Sequence, residues 1–171
     1  TATNSTKKRL IRMGEIKKNI FVVGCPSIDA LKQEKNENFN KIKKKFNIDV
    51  LQDYILVIQH PVTTEIKDVH KQFIETIEAL KKFKIQKLFV FPNNDAGSSK
   101  IINLIKKNKF NHCQTLSLKE YKTLLKMSCA LVGNSSSGIH EAATFKIPVV
   151  NIGTRQKGRM RGINVIDANY N

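Results

Sequence analysis

The feature that constrains the fold most is a regular alternation of short apolar runs with segments of helical periodicity. The runs ILVI at residues 55–58 and LFVF at residues 88–91 are apolar at every position, as in parallel strands that are buried on both faces. Between them, residues 66–83 carry apolar side chains at helical spacing. This alternation predicts an α/β protein with a doubly wound parallel sheet and right-handed crossovers.

The same patterns give approximate positions for the elements. Strands are predicted at residues 21–24, 54–59, 88–91, 114–117, 130–133, 149–152 and 164–166. Helices are predicted at residues 66–83, 98–107, 119–127 and 139–145, with a short amphipathic helix over residues 1–14. The polar, lysine-rich stretch 32–46 is predicted to be a helix or a solvated connection.

The charge balance is strongly basic. Thirty Lys and Arg against fourteen Asp and Glu give a net charge of +16, which favours acidic partners such as nucleic acid or phosphates. Only five of the thirty are Arg, so we favour a solvated lysine surface. The chain has no Trp and 7% aromatic residues, too few for a stripe that stacks bases, and a basic RNA-binding module stays as the non-enzyme alternative.

Cysteine usage and hydropathy indicate a cytoplasmic protein. The three cysteines, Cys25, Cys113 and Cys129, form no C-x-x-C pair, so neither a zinc site nor a disulfide framework is expected. No apolar run approaches the ~20 residues of a membrane span, and the N-terminus lacks the apolar core of a signal peptide. We therefore expect a reducing setting, no metal and no membrane partner.

Two motifs follow predicted strands with polar residues that suit a ligand site. QHPVTTE places His60 at the end of a strand, where Pro61 restricts its backbone. FPNNDAGSS places Asn93 at the end of another. Because ligands of open α/β sheets bind beyond the carboxyl ends of the strands, both residues are candidates for the site. The alternative is that they merely end strands and cap the next element.

The most specific motif is GNSSSG at residues 133–138, between a strand and a predicted helix. Small residues let the backbone approach a ligand closely, and a helix start offers free N–H groups, so this segment predicts an anion site. Glu141, about one turn further on, can accept hydrogen bonds from a ribose diol. The alternative is that the serines cap the helix and that Glu141 completes a capping box.

A basic loop follows the strand at residues 149–152. Arg155, Arg159 and Arg161 fall within seven residues that also contain Lys157. Guanidinium groups match phosphate geometry, so this loop suits closure over an anionic ligand. The alternative is a basic surface turn.

Taken in order, these motifs resemble one family. QHPVTTE, FPNNDAGS, LVGNSSSGIHEA and PVVNIGTRQKGRMRGINVIDA are similar to the hydrolysing UDP-N-acetylglucosamine 2-epimerases of sialic-acid pathways. The resemblance implies one half of a glycosyltransferase-B-type enzyme, which has two Rossmann-like domains. Residues 1–20 would end the N-terminal domain and its connection. Residues 21–171 would form the C-terminal nucleotide-binding domain, truncated before a final helix.

The resemblance also implies roles for individual residues. Ser135 and Ser136 would bind the diphosphate, and Glu141 would bind the ribose hydroxyls. His60 would be the catalytic residue that assists departure of UDP. Asn93 would line the nucleotide side of the cleft, and Arg155 would help to hold the nucleotide. No cofactor and no metal are implied.

The implied reaction converts UDP-N-acetylglucosamine and water to N-acetylmannosamine and UDP. The partners expected are the UDP-sugar, the protein's own N-terminal domain and further copies in a dimer or tetramer, without nucleic acid or membrane. This chain alone is expected to be inactive, because the carboxylates of the family's N-terminal domain are absent from it. The enzyme alternatives are a 2-epimerase for another sugar, such as a GDP- or UDP-linked diacetamido-trideoxy sugar, or another glycosyltransferase-B enzyme.

Overall fold

The computed structural model describes residues 1–170, which divide into two compact units, Thr1–Glu34 and a larger unit that starts at Lys35. The first unit contains helix α1 (Asn4–Arg12), a 3-10 turn (Lys17–Asn19) and helix α2 (Pro26–Gln33). No helix within residues 1–170 is both long and apolar enough to cross a membrane.

The first unit is held by local contacts. Thr3 caps α1 by accepting the N–H of Thr6 at 3.1 Å, and the Lys7 ammonium donates to the carbonyl of Ile20 at 2.5 Å. The strand predicted at residues 21–24 is wrong, because this segment is extended coil and Phe21 is 69% exposed. A strand requires a neighbouring strand to satisfy its backbone, and residues 1–34 contain none.

The second unit is a six-stranded parallel sheet with helices on both faces. Its strands are β1 (Tyr54–Ile58), β2 (Gln86–Val90), β3 (Asn111–Cys113), β4 (Ala130–Gly133), β5 (Val149–Ile152) and β6 (Val165–Ala168). Its helices are α3 (Phe39–Phe46), α4 (Val69–Lys81), α5 (Ser98–Lys107), α6 (Leu118–Met127) and α7 (Glu141–Thr144). The strand order is β3-β2-β1-β4-β5-β6.

This order confirms the predicted Rossmann-like, doubly wound sheet. The chain winds outward from β1 to β3 in one direction and from β4 to β6 in the other. β1 and β4 are therefore neighbours, with Ile58 opposite Gly133 at their carboxyl ends. A crevice opens at such a switch point because the two connections leave in opposite directions.

Strand β1 shows how the sheet is buried on both faces. Tyr54, Leu56 and Ile58 point into the core formed with α3, α6 and α7, whereas Ile55 and Val57 point into the core formed with α4 and α5. All five residues of the strand are buried. The uninterrupted apolar run therefore reflects two buried faces, as predicted.

One other predicted strand is misplaced. Residues 114–117 form no strand, and β3 lies just before them at Asn111–Cys113. Ser117 instead caps α6: its hydroxyl accepts the N–H of Glu120, and the Glu120 carboxylate accepts the N–H of Ser117. The capping box uses these polar groups for the helix start, which ends the strand early.

Candidate functional site

The predicted site residues follow four strands that end at the same edge of the sheet. His60 follows β1, Asn93 follows β2, Ser135 and Ser136 follow β4, and Arg155 follows β5. A network of hydrogen bonds joins His60, Asn93 and Arg155, and it passes through Asn134, the residue before Ser135. The structure thus brings most of the predicted residues together at the switch point.

His60 is fixed by its backbone and its ring. Its N–H donates to Asn134 Oδ1 at 2.7 Å, and its carbonyl accepts from Asn134 Nδ2 at 2.8 Å. Its Nδ1 accepts the backbone N–H of Asn93 at 3.2 Å. Because Nδ1 is an acceptor, the neutral ring carries its proton on Nε2 and offers that N–H as a donor.

The surroundings of His60 keep its imidazole neutral. Burial is the main cause that lowers the pKa of His60, to about 4; the positive charge of Arg155 contributes to this lowering, and Asp95 opposes it. At neutral pH the residue is therefore a hydrogen-bond donor through Nε2 rather than a cation. A developing negative charge beside it would be stabilised by that donor.

Asn134 organises the site and was missed as a site residue in the sequence. It is 1% exposed, and its backbone carbonyl accepts from Arg155 Nη1 at 3.2 Å and from Gln156 Nε2 at 2.8 Å. Its side chain meanwhile holds the His60 backbone. In the sequence, the signal for Asn134 is that a polar residue ends an apolar strand. That signal does not identify its partners His60 and Arg155, which lie far away along the chain.

Gly133 lets the end of β4, which leads into Asn134, lie directly against β1. Its φ is +134°, and a Cβ at this position would lie 2.1 Å from the carbonyl oxygen of Ile58. A side chain therefore has no room here, and the backbone conformation is one that favours glycine. This close approach brings Asn134 within reach of the His60 backbone.

The serine segment is a tight turn rather than the start of a long helix. Residues Ser136–Gly138 form a 3-10 turn, and the helix predicted over 139–145 is present but shorter, as the four residues of α7. Ser135 caps the turn by accepting the N–H of Ser137 at 3.3 Å. Gly138 sits where a Cβ would lie 2.8 Å from Val149 Cγ1, so the segment bends tightly over β5.

Glu141 and Tyr121 leave buried polar atoms without partners. Glu141 Oε2 and Tyr121 Oη are buried and make no hydrogen bond. Burial raises the pKa of Tyr121, and the Glu141 carboxylate raises it further, against a lowering contribution from Ser137. The two groups therefore lie beside the serine turn, where a bound hydroxyl would satisfy them. Tyr121 is not among the residues predicted for the site.

The three clustered arginines have different environments. Arg155 faces Asn134, and Arg161 pairs with Asp167 and also donates to the carbonyl of Gln156 at 2.9 Å. Arg159 is exposed. Arg155 donates directly to Asn134, whereas Arg161 reaches Asn134 only through Gln156.

The donors and acceptors at this edge suit an anionic organic ligand. A guanidinium, a neutral imidazole N–H and a turn of serines can donate to phosphate oxygens. Throughout the described part of the chain, no three His, Cys, Asp or Glu residues are grouped as metal ligands require. The arrangement can therefore bind a phosphorylated ligand and stabilise negative charge on it.

Comparisons with known proteins find matches over the whole chain. The model of the UDP-N-acetylglucosamine 2-epimerase family matches residues 1–171. The chain is 37% identical to a UDP-N,N'-diacetylbacillosamine 2-epimerase (hydrolyzing) of Legionella pneumophila, over 97% of this chain and 45% of the relative. It is 30% identical to a UDP-N-acetylglucosamine 2-epimerase of Neisseria meningitidis, over 99% of this chain and 45% of the relative.

A solved structure shares the fold. The UDP-GlcNAc 2-epimerase of Methanocaldococcus jannaschii, in complex with UDP-GlcNAc and UDP, superposes with a TM-score of 0.76 at 22% identity. The match covers all of this chain and 50% of that one. The chain thus spans about half the length of the relatives that it matches.

Proposed function

The chain belongs to the UDP-N-acetylglucosamine 2-epimerase family, and we propose that it supplies the nucleotide-binding half of a hydrolysing 2-epimerase. The proposed substrate is UDP-N-acetylglucosamine, with N-acetylmannosamine and UDP as products. The Legionella relative, at 37% identity, favours UDP-N,N'-diacetylbacillosamine as the second candidate. Both candidates are UDP-linked sugars, so the site on this chain would bind the same nucleotide in either case.

The observation that carries this proposal is the network around Asn134. It ties His60 and Arg155 to the residue that precedes the serine turn, at the switch point of the sheet. His60, Arg155 and the serine turn can each stabilise a diphosphate there. Glu141 Oε2, buried and unpaired, supplies an acceptor for a ribose hydroxyl, and Asn93 would line the nucleotide side.

The proposed chemistry begins with elimination of UDP. A base removes the proton at C2 while the bond from C1 to the UDP oxygen breaks, which gives a glycal and UDP. Addition of water to the glycal then gives the 2-epimer. In this scheme His60 donates its Nε2 hydrogen bond to the leaving diphosphate, and Arg155 and the serine turn hold the developing charge.

We assign the base at C2 to the half of the enzyme that lies outside this chain. The guanidinium, the imidazole N–H and the serine turn at the four strand ends suit the leaving group, and the unpaired carboxylate there, Glu141, is the one proposed to bind the ribose. Residues 1–20 would then belong to the connection between the two halves, and the complete enzyme would act as a dimer or tetramer. This chain alone should not turn over substrate.

Two substitutions should separate phosphate binding from ribose binding. Ser136→Ala should weaken UDP by about tenfold or more and leave uridine unchanged, since one hydrogen bond to a charged group contributes ~1.5–3 kcal/mol. Glu141→Ala should weaken UDP and uridine alike by about tenfold or more, because both contain the ribose and a charged acceptor contributes ~1.5–3 kcal/mol. Titrations followed by NMR would measure the four dissociation constants.

Glu78→Ala is the matched control, because Glu78 is exposed on α4, where it pairs with Lys81. It should bind both ligands like the wild type. Equal weakening of UDP and uridine by Ser136→Ala would contradict the placement of the phosphates. Unchanged uridine binding in Glu141→Ala would contradict the placement of the ribose.

A further inference from the structure

We propose that Glu65 and Thr154 form a clasp that positions Arg155 in the site, a role deduced for neither residue from the sequence. The Thr154 hydroxyl donates to Glu65 Oε1 at 2.5 Å. Thr154 directly precedes Arg155. Glu65 is the last residue of the QHPVTTE motif and ends the 3-10 turn that begins at Thr63. The consequence for the ligand rests on the proposed function, whereas the clasp itself does not.

The clasp joins two loops that do not follow neighbouring strands. Glu65 lies after β1 and Thr154 lies after β5, and β4 stands between these strands in the sheet. The contact therefore spans the carboxyl end of β4, where Asn134 and the serine turn lie. Any ligand held at that end would lie beside both loops.

Glu65 is itself held in place from the other side. Its second oxygen, Oε2, accepts from Gln72 Nε2 at 2.7 Å, and Gln72 belongs to α4. Both carboxylate oxygens are thus engaged, one by the helix and one by the loop after β5. A carboxylate with two fixed donors has little freedom to reorient, so it forms a rigid anchor for Thr154.

The contacts close a ring around the end of β4. Thr154 leads along the chain to Arg155, Arg155 donates to the Asn134 carbonyl at 3.2 Å, and Asn134 holds the His60 backbone. From His60 the chain returns through the four residues 61–64 to Glu65. On the opposite flank, the N–H of Gly153 donates to the carbonyl of Ala168 at 2.8 Å, which fixes the start of the loop. Glu65 therefore acts through Arg155 and is a positioning residue.

Thr154→Val tests the clasp because valine has the same shape without the hydroxyl. We expect it to weaken UDP by about five- to tenfold, as for loss of an ordered charged contact, with uridine within about twofold. Thr154→Ser keeps the hydroxyl and should restore UDP binding. Glu65→Gln is a second variant, and it should weaken UDP in the same direction because an amide has only one acceptor oxygen for the two donors.

A double-mutant cycle distinguishes positioning from general destabilisation. In an Arg155→Ala background, Thr154→Val should weaken UDP no further, because the residue that the clasp positions is gone. Additive losses from the two substitutions would overturn the proposal. So would wild-type UDP binding in Thr154→Val.

A measurement without ligand separates the clasp from the proposed function. In ligand-free protein, Thr154→Val should shift the NMR signals of the Arg155 Nε–H and the Asn134 backbone, while Thr154→Ser should leave them near their wild-type positions. If the wild type does not bind UDP, the proposed function fails and these spectra still judge the clasp. Unchanged Arg155 and Asn134 signals in Thr154→Val would refute it.

Discussion

Replacing Gly133 with alanine is expected to destabilise the second unit by about 3 kcal/mol or more, among the largest effects that one methyl group can have. The added Cβ would lie 2.1 Å from the Ile58 carbonyl oxygen and 2.6 Å from the Ile58 carbonyl carbon. Both atoms belong to the backbone of β1, so no side-chain rotation relieves the clash. The φ of +134° adds strain for any residue with a Cβ.

Gly158→Ala separates these two contributions. Gly158 also has a positive φ, +79°, but a Cβ there would meet nothing within 4 Å. Its replacement should therefore be destabilising by only about 1–2 kcal/mol, the effect of the left-handed conformation alone. Urea unfolding of both variants measures the difference, and equal losses for the two would show that Gly133 does not approach β1 as described.

The second large effect is a loss of stability in acid that depends on His60. Folding lowers the pKa of this group from 6.5 to about 4. Between those values the unfolded chain binds a proton at His60 and the folded chain does not. The free energy of unfolding should therefore fall as the pH falls from 6.5 towards 4, by up to about 3 kcal/mol from this residue alone.

His60→Asn should remove this contribution, because an amide does not titrate, and its Oδ1 can still accept the N–H of Asn93. The exposed His140, replaced by Asn in the same way, should leave the pH dependence of the wild type in place. Urea unfolding at several values of pH measures the three proteins. A His60→Asn variant that loses stability as steeply as the wild type would contradict the neutral, buried imidazole.

Most of the sheet could be predicted from the sequence, because five of its six strands overlap runs with a local signal. Strand β1 is apolar at every position, and buried strands in parallel sheets require that composition. The two wrong strands fail for different reasons. Residues 21–24 are apolar but have no strand beside them, which no local pattern reveals. Residues 114–117 end in a capping box of Ser117 and Glu120, a local signal that favours the start of α6 over a strand.

The residues of the candidate site could be chosen only in part from the sequence, because some of the contacts there join residues that are far apart along the chain. His60, Asn93 and Arg155 could be chosen because each follows a strand in a motif with polar or basic residues. Asn134 and Glu65 act through partners that are far along the chain: Asn134 through His60, and Glu65 through Thr154. Such pairings exist only once the order of the strands brings the loops together, so no local pattern reveals them.

The central claim is that the carboxyl ends of β1 and β4 bind a uridine diphosphate group, and a UDP titration of this chain followed by amide NMR tests it most directly. We expect saturable shifts at His60, Asn93, Arg155 and the turn Ser136–Gly138. They should saturate at millimolar to high-micromolar UDP, which corresponds to a free energy of binding of about −4 to −6 kcal/mol. Uridine should bind more weakly. The opposite result would be shifts at the lysines of α3 that do not saturate and that disappear with added salt. Such shifts would indicate nonspecific binding to a basic surface, and they would contradict a UDP site at β1 and β4.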